Sequence, residues 1–297
     1  MTTINSQEQS YDAKGIILES IGIQNFKGDI FNLFEFCTGF VLYEDMFKHT
    51  MSLEVGIADA VGLIERFPII GDEAIYLQFR APSYDEPIRV TMQVVGIEGK
   101  EKVNDTTVHY ILECVSQEYV NNLTRTASKG YIGLPVTEMV KDVYDNLLAR
   151  DINPKPLVVD TSVGNHTFIA PDNEPMEFMK FLTKEAVAGN ESANYFFWED
   201  KDQFNFRTLN RLYRQKPKFE FYYIQHDVEQ TNTTGDKKID PSQKVLGLTI
   251  ARELDTLRLI ETGHYDNSVA AIDPILKKYR DTGFTYDTNF ELIDHLG

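Results

Sequence analysis

Paired carboxylates are the residues of this chain with the clearest capacity for chemistry. Adjacent acids occur at residues 44–45, 72–73 and 85–86. A glycoside hydrolase needs two carboxyl groups that face each other across its substrate. Adjacency in sequence neither supplies nor excludes that arrangement. The simpler interpretation, that these pairs lie in solvated turns, is the one we expect.

Histidine, the other common catalytic and metal-binding residue, is scattered. The six histidines follow no metal-ligand spacing: His49, His109, His166, His226, His264 and His295. Neither a Gly-x-Ser-x-Gly elbow nor a Walker glycine loop is present. The aromatic run at residues 195–198 has the chemistry to stack sugars or bases, but a core strand is the expected structure. We therefore predict no catalytic residue, no metal ligand and no cofactor.

The charge of the chain limits its partners. Its 297 residues carry a formal net charge of −17 at pH 7. A site for a phosphate backbone needs clustered Lys and Arg, whereas the basic pairs Lys237-Lys238 and Lys277-Lys278 are isolated. A specific nucleic-acid site is therefore not expected. The charge is compatible with a channel wall that repels DNA phosphates, although most acidic proteins are acidic for solubility alone.

Signals for a disulfide, for export and for membrane insertion are missing from the sequence. Cys37 and Cys114 sit in apolar settings, as small buried hydrophobes do, and no C-x-x-C motif supports a disulfide. The redox state of the two thiols stays open. The first ten residues have neither a basic start nor an apolar core, so no signal peptide is expected. No run of about 18 apolar residues occurs, so no membrane anchor is expected.

The pattern of the first 118 residues predicts mostly β structure. Residues 74–79 alternate, with Ile75, Leu77 and Phe79 on one face, which indicates a half-buried strand after a short amphipathic piece at 59–67. A polar loop at 98–105 is suited to join antiparallel neighbours. Strands at this spacing predict a sandwich or a barrel. The other predicted strands are residues 16–23, 39–43, 51–57, 88–96 and 108–114.

The pattern changes at residues 119–213, which predict a small α+β domain. Helical spacing runs from Pro135 to residue 148, and a second helix opens at Pro175 and closes by Gly189. A brief strand is predicted at residues 157–160. The runs at 195–199 and 204–206 flank a polar turn, which is typical of a hairpin.

Residues 214–297 predict the start of another β-rich domain. A polar loop is predicted at 230–241 and a short helix at 254–261. These elements do not complete a closed barrel, so we expect the third domain to be incomplete in the chain as given. The strand-like runs are residues 219–224, 245–251, 268–273 and 279–286.

Four stretches, in order along the chain, resemble the baseplate hub family of contractile phage tails. They cover most of the sequence, and their order and spacing make the resemblance fairly specific. The stretches are residues 58–82; 110–118 with Arg125 and Tyr131; 194–199 with 204–209; and 259–269 with Ile272, Asp273 and 284–286.

The resemblance implies a fold and an assembly. Hub proteins have two barrels related to the tail-tube barrel, with an α+β domain between them, and they form trimers. Two barrels per chain then give a ring of six that adapts the sixfold tube to the threefold spike. The predicted fold class is therefore α+β and β-rich. The predicted tube-like barrels are 1–118 and, incomplete, 214–297, with the α+β domain at 119–213.

The resemblance also implies partners and a location. The partners are two further copies of the chain, the central spike protein, a tail-tube or tube-initiator protein and other baseplate proteins. Genomic DNA passes without specific binding, past an acidic wall for which the candidates are Asp72, Glu73, Glu98 and Glu101. The location is the baseplate of the virion tail, after assembly in the host cytoplasm.

Three alternatives to a phage hub without enzymatic activity stay open. One is the hub portion of a secretion-system or phage-like-particle spike, which shares the tube-barrel plan. The second is a carboxylate-dependent cell-wall hydrolase, and the third is a carbohydrate-binding adhesin. The oligomeric state separates these classes, because a hub is expected to be a trimer that binds a spike protein.

Overall fold

The computed structural model describes residues 16–67, 69–81, 86–189, 193–217, 220–223, 244–245, 247–250 and 255–289. The chain divides into two compact units, Met1–Leu212 and Tyr213–Gly297. Parts of several predictions lie outside the described residues: the loop at 230–241, Phe219, Ile224, Ala251 and Leu254 of predicted strands and a helix, and Pro68 and Pro82 within the stretch 58–82.

Seven strands form one antiparallel sheet in the first unit, in the order β2-β1-β5-β6-β7-β4-β3. This arrangement confirms all the strands predicted in the first 118 residues and adds the short β2. A short helix, α1 (Leu63–Arg66), occupies the predicted amphipathic piece. The strands are β1 (Ile17–Gln24), β2 (Ile30–Asn32), β3 (Cys37–Tyr43), β4 (Ser52–Asp59), β5 (Ala74–Arg80), β6 (Ile88–Lys102) and β7 (Val108–Val115).

Alternation along the strands decides which face of this first sheet is buried. In β5 the side chains of Ile75, Leu77 and Phe79 are buried while Tyr76 is exposed, as predicted. The neighbouring strands contribute buried residues to the same side, including Leu53, Val90 and Leu112. Because successive side chains point to opposite faces, one continuous core forms on one side of the sheet.

The first sheet curls into an open barrel. β2 and β3 are its two outer strands, yet only residues 33–36 connect them. In a flat sheet their axes would lie roughly 29 Å apart, whereas such a connection spans at most about 18 Å. The ring centroids of Phe40 in β3 and Phe79 in β5 are 5.0 Å apart, across four strand spacings. The predicted barrel-like, β-rich architecture is confirmed.

The prediction of a polar loop at residues 98–105 is wrong for residues 98–102, which belong to β6. β6 continues to Lys102 and stays paired with β7, with Glu101 opposite His109 and Lys102 opposite Val108. A register shift between residues 98 and 101 contains Gly99, whose φ of +61° is a conformation that glycine adopts without strain. The side chains here are exposed, so no apolar alternation marks the strand.

Residues 117–213 hold a second hydrophobic core, whose buried residues run from Ala127 to Phe206. The predicted helices, the brief strand and the hairpin are confirmed, although α4 ends at Glu185 rather than at Gly189. The elements are α2 (Gln117–Thr124), β8 (Ala127–Leu134), α3 (Val136–Val143) with a π turn (Tyr144–Leu148), β9 (Leu157–Val159), β10 (Ser162–Val163), β11 (His166–Asn173), α4 (Pro175–Glu185), β12 (Val187–Ala188), β13 (Tyr195–Glu199), β14 (Phe204–Thr208) and α5 (Leu209–Tyr213).

The second core sits between helices and a small mixed sheet. β14 lies between antiparallel β13 and parallel β9. Val136, Met139, Val140 and Val143 bury one side of α3, which is the 3–4 spacing of an amphipathic helix. Pro175 occupies the start of α4, where its missing N–H has no intrahelical acceptor to lose. The division into three domains stays a prediction.

The second unit contains little more than a hairpin and short helices in its described residues. β17 (Asp266–Asp273) pairs antiparallel with β18 (Lys278–Thr285), and α6 (Thr256–Glu261) precedes them. The predicted helix and the strands predicted at 268–273 and 279–286 are confirmed. The prediction of an extended run at 245–251 is wrong for residues 247–250, which belong to no strand. The remaining elements are β15 (Tyr222–Tyr223), β16 (Lys244–Val245) and α7 (Tyr286–Asn289).

Candidate assembly surfaces

The histidines and paired acids of the described residues lie on several different elements. Within the described ranges, no three His, Cys, Asp or Glu side chains are placed to hold a metal ion. His49 Nδ1 lies 3.1 Å from the Phe197 carbonyl oxygen, whereas His166 stacks on Phe168 in a different part of the unit. Two histidines lie outside the described residues, namely His226 and His295.

The acidic pair at residues 72–73 was expected to lie in a solvated turn, and its two members differ in the structure. Asp72 is exposed, but Glu73 is fully buried, and its carboxylate accepts hydrogen bonds from the backbone N–H groups of Ile70 and Gly71, both at 2.9 Å. A solvated turn is therefore wrong for Glu73. Its side chain closes the turn before β5, so it cannot form part of an acidic channel wall. Asp85 lies outside the described residues.

The aromatic run is part of a core strand, as expected. Tyr195, Phe197 and Trp198 in β13 are buried, and Tyr195 stacks on Phe206 of β14 with ring centroids 4.8 Å apart. A stacking platform for sugars or bases needs exposed ring faces. The aromatic run therefore stabilises the α+β core and presents no open face.

Both cysteines are free and buried in the first sheet. Burial raises the pKa of the Cys37 thiol above its ordinary value and raises the pKa of Cys114 to about 12. Both groups are therefore protonated at neutral pH. A thiol rather than a thiolate is a weak nucleophile, so neither cysteine has the chemistry of a catalytic group.

A cleft of about 490 Å³ opens between the first sheet and the α+β part. Two polar side chains of its wall are held in place. Glu174 accepts a hydrogen bond from Asn122 Nδ2 at 2.9 Å, and Asn122 Oδ1 accepts from the Met176 N–H at 2.8 Å. These bonds fix the start of α4 against α2. The cleft wall is thus organised for packing.

The outer strands of the first sheet are candidate assembly edges. Within the described residues, the outer sides of β2 and β3 pair with no other strand. Ile30 on β2 and Val41 and Tyr43 on β3 are exposed apolar residues beside these edges. Unpaired backbone N–H and C=O groups offer a template for a strand from another chain.

The second unit exposes most of its apolar residues. Among residues 255–289, no residue is buried. The end of the β17–β18 hairpin carries Ile272, Ile275, Leu276 and Tyr279, which we call the hairpin tip, and Ile275 is 90% exposed. Such a concentration of exposed large apolar side chains makes the hairpin tip a candidate interaction site.

A buried carboxylate links the α+β part to the segment before β4 of the first sheet. We call this contact the joint (residues 44–51 with Glu118, Lys155 and 196–201). Glu199 at the end of β13 is fully buried, and its Oε2 accepts a hydrogen bond from the Met51 N–H at 2.8 Å. Lys155 Nζ lies 2.8 Å from Glu199 Oε1 and donates to the Asp200 carbonyl oxygen at 2.8 Å. Both charged groups of this pair belong to the α+β part, and what they hold on the other side is the backbone amide of Met51.

Aromatic contacts line the same joint. Phe47 meets Phe196 edge to face with centroids 5.8 Å apart, and His49 lies 5.9 Å from Phe197. Edge-to-face pairs of this kind stabilise packing beyond their buried area. No local sequence pattern marks the joint, because its partners are separated by 148 positions along the chain.

None of the described helices combines the length and hydropathy of a membrane crossing.

No protein-family model matches this sequence, and a comparison with curated proteins found no match. Solved structures that are similar to it include the 43 kDa tail protein of prophage MuSo2 from Shewanella oneidensis, with 12% identity and a TM-score of 0.43 over 63% of this chain and 52% of that chain. A tail protein from Neisseria meningitidis is similar with 10% identity and a TM-score of 0.42, over 65% of this chain and 50% of that one.

The prophage tail protein gp18 from Listeria monocytogenes is similar over 92% of this chain and 69% of that chain, with 8% identity and a TM-score of 0.48. The chain spans about half the length of the Shewanella and Neisseria proteins. At these identities and scores the similarities assign no family. The solved structures similar to this chain thus include tail proteins and a component of the type VI secretion system of E. coli.

Proposed function

We propose that this chain is a structural baseplate hub subunit of a contractile phage tail. Three copies form a ring that joins the sixfold tail tube to the threefold central spike and lines the DNA channel. The resemblance of four stretches to the hub family supports this role, since the stretches run through both compact units in order. The curled first sheet, an open barrel, suits a tube-like ring.

The observation that carries the proposal is the exposure of the second unit. A two-stranded hairpin is at best marginally stable in water unless a third strand, a helix or another chain covers it. Residues 255–289 contain no buried residue, and the hairpin tip is strongly apolar. Contacts with neighbouring molecules supply the missing burial in an assembled hub. The open edges of β2 and β3 favour the same conclusion.

The proposed partners follow from the hub role. They are two further copies of the chain, the central spike protein, a tail-tube or tube-initiator protein and other baseplate proteins, in the baseplate of a virion assembled in the host cytoplasm. The channel wall is acidic, with exposed Asp72, Glu98 and Glu101 as its candidates. Like charges keep DNA phosphates from binding as the genome passes.

The chain itself performs no chemistry in this proposal. An active site gathers a nucleophile or base, an orienting group and a charge-stabilising group in one cleft. The buried acids of the described residues instead hold backbone amides, as Glu73 does at Ile70 and Gly71. Degradation of the cell wall belongs to the spike partner.

Light scattering on the purified full chain tests the proposal. A molar mass about three times the 34.1 kDa of one chain, alone or with the spike protein, is the expected result. A monodisperse monomer at high concentration with spike and tube proteins present would contradict it. Peptidoglycan turnover by the purified chain would favour a hydrolase instead, and loss of that turnover in Glu44→Gln/Asp45→Asn would identify its carboxylates.

A further inference from the structure

Two buried carboxylates share one lysine inside the joint. Glu118 on α2 and Glu199 on β13 are both almost fully buried, and the Lys155 side chain is mostly buried beside them. Glu118 Oε1 accepts a hydrogen bond from the Lys155 backbone N–H at 3.2 Å, while the Lys155 ammonium group pairs with Glu199. With both acids ionised, this cluster carries one negative charge in excess.

The excess negative charge lowers the stability of the joint, because the cluster is buried. A buried charge needs a partner, and Lys155 already pairs with Glu199. Burial, with the charge of Glu199 added to it, raises the pKa of Glu118 above its ordinary value. Protonation of Glu118 leaves a neutral Glu199–Lys155 pair, and Glu118 still accepts from the Lys155 backbone.

Other charged and titratable groups face the cluster from the packed elements, and the cation among them, Lys201, pairs with the separate acid Asp202. The Tyr144 hydroxyl of the π turn donates to the Lys155 carbonyl oxygen at 2.6 Å. The acids near the cluster add negative charge, and burial with the charge of Asp200 raises the pKa of Glu44. Lys201, whose side chain is about as buried as that of Lys155, lies beside Glu44 and pairs with Asp202. The remaining groups nearby are Asp145 and His49.

We propose that Glu118 makes the joint pH-sensitive, so that the first sheet and the α+β part are held together more tightly when Glu118 is protonated. The neutral joint keeps the Glu199–Lys155 pair and the hydrogen bond from the Met51 N–H. Ionisation of Glu118 adds a second buried carboxylate beside Glu199 and loosens the contact. This inference is independent of the hub role.

The direction of the pH effect follows from proton binding. The folded chain binds a proton at Glu118 more tightly than the unfolded chain does, since its pKa is raised from 4.5. Between that ordinary value and the raised one, the folded chain binds more protons, so stability falls as pH rises. Acidification through this window therefore strengthens the joint, whereas paired surface acids weaken as they are protonated.

The test compares two neutral substitutions in the full chain across pH. Glu118→Gln keeps the size and the acceptor for the Lys155 N–H, whereas the control Glu138→Gln lies on the exposed side of α3. We expect E118Q to unfold about 2–4 °C above the wild type near pH 7.5 and to have lost part of the gain that the wild type shows on acidification. E138Q should follow the wild-type curve.

Two results would overturn the proposal: E118Q less stable than the wild type near neutral pH, or E118Q with the same pH slope as E138Q. If E118Q does not fold, hydrogen exchange of the wild-type Met51 amide decides, because this group donates to Glu199 inside the joint. The proposal is supported if the local opening that exposes the Met51 amide becomes rarer on acidification, after correction for the intrinsic exchange rate. The proposal is refuted if the frequency of this opening does not change with pH.

Discussion

The two compact units solve the problem of burial in opposite ways. In the first, the curled sheet and the α+β part each enclose a core, with Leu53, Leu112, Met139 and Phe206 fully buried. In the second, the described hairpin and helices have comparable apolar residues, yet Ile272 is 73% exposed and none of residues 255–289 is buried. The difference lies in what covers the strands.

This difference teaches where stability comes from. Apolar area removed from water contributes about 25 cal/mol per Å², so the first unit gains its stability inside one chain. In its described residues, the second unit has backbone hydrogen bonds between β17 and β18 but little burial to offset the ordering of its chain. In the proposed hub, neighbouring molecules supply this burial, so substitutions in the two units should report on different equilibria.

The largest expected effect uses matched isoleucines on strands. Ile57→Ala in β4 removes a side chain that is 1% exposed and should lower the free energy of unfolding by about 4 kcal/mol. Ile272→Ala in β17 should change it by less than about 0.5 kcal/mol. Chemical denaturation of the dilute chain measures both. Equal losses at the two sites would show that the second unit has a core of its own.

Breaking the joint should have the next largest effect. Glu199→Gln removes the carboxylate that pairs with Lys155, which leaves Glu118 as the buried acid beside that lysine, and it weakens the acceptor of the Met51 N–H. We therefore expect a loss of roughly 2 kcal/mol. Glu138→Gln on the surface of α3 is the control. Denaturation followed by tryptophan fluorescence suits this test, because Trp198 precedes Glu199. A loss of unfolding free energy no greater than that of the control would show that the ion pair does not stabilise the protein.

The hairpin tip should affect association more than stability. Replacing Ile275 and Leu276 by Ser should leave the dilute chain as stable as the wild type and weaken self-association at least tenfold, which corresponds to about 1.4 kcal/mol. The matched control is Leu123→Ser, an exposed leucine on α2 in the first unit. Sedimentation at several concentrations gives the constants. Unchanged association would exclude the tip from the contact between copies.

The smallest effect concerns the two thiols of the first sheet. Since burial raises the pKa of Cys37 and of Cys114, both should resist alkylation at mildly alkaline pH and react only as the sheet unfolds. Mass spectrometry after a timed exposure to iodoacetamide counts the modified thiols. Rapid labelling of the native chain would mean that the first sheet opens locally.

Much of this fold is predictable from local patterns. Strict alternation identified β5 and the opening of β6, and prolines at the helix starts identified α3 and α4. These signals work because each strand or helix buries one face. The same reasoning missed α2, whose buried residues are polar: Glu118, Asn121 and Asn122. Their partners are side chains and backbone N–H and carbonyl groups far along the chain, so no apolar period marks the helix.

The β8–β11 pair was missed for a different reason. Its strands include Gly130 and Gly133 and bury few residues, among them Ala127, Tyr131 and Ala170, so alternation is weak. The buried position of Glu73 was also not predictable, because its acceptor role depends on the turn at Gly71. The joint needs contacts between distant segments, and a single sequence contains no local signal for them.

The most direct test of the central claim is hydrogen exchange of the hairpin amides at residues 266–285, measured in dilute and in assembled protein. The account predicts rapid exchange when the chain is monomeric and strong protection in the trimer, while β4 amides stay protected in both. The account fails if the hairpin is as protected as β4 in the dilute monomer, or if it stays unprotected in a trimer with bound spike.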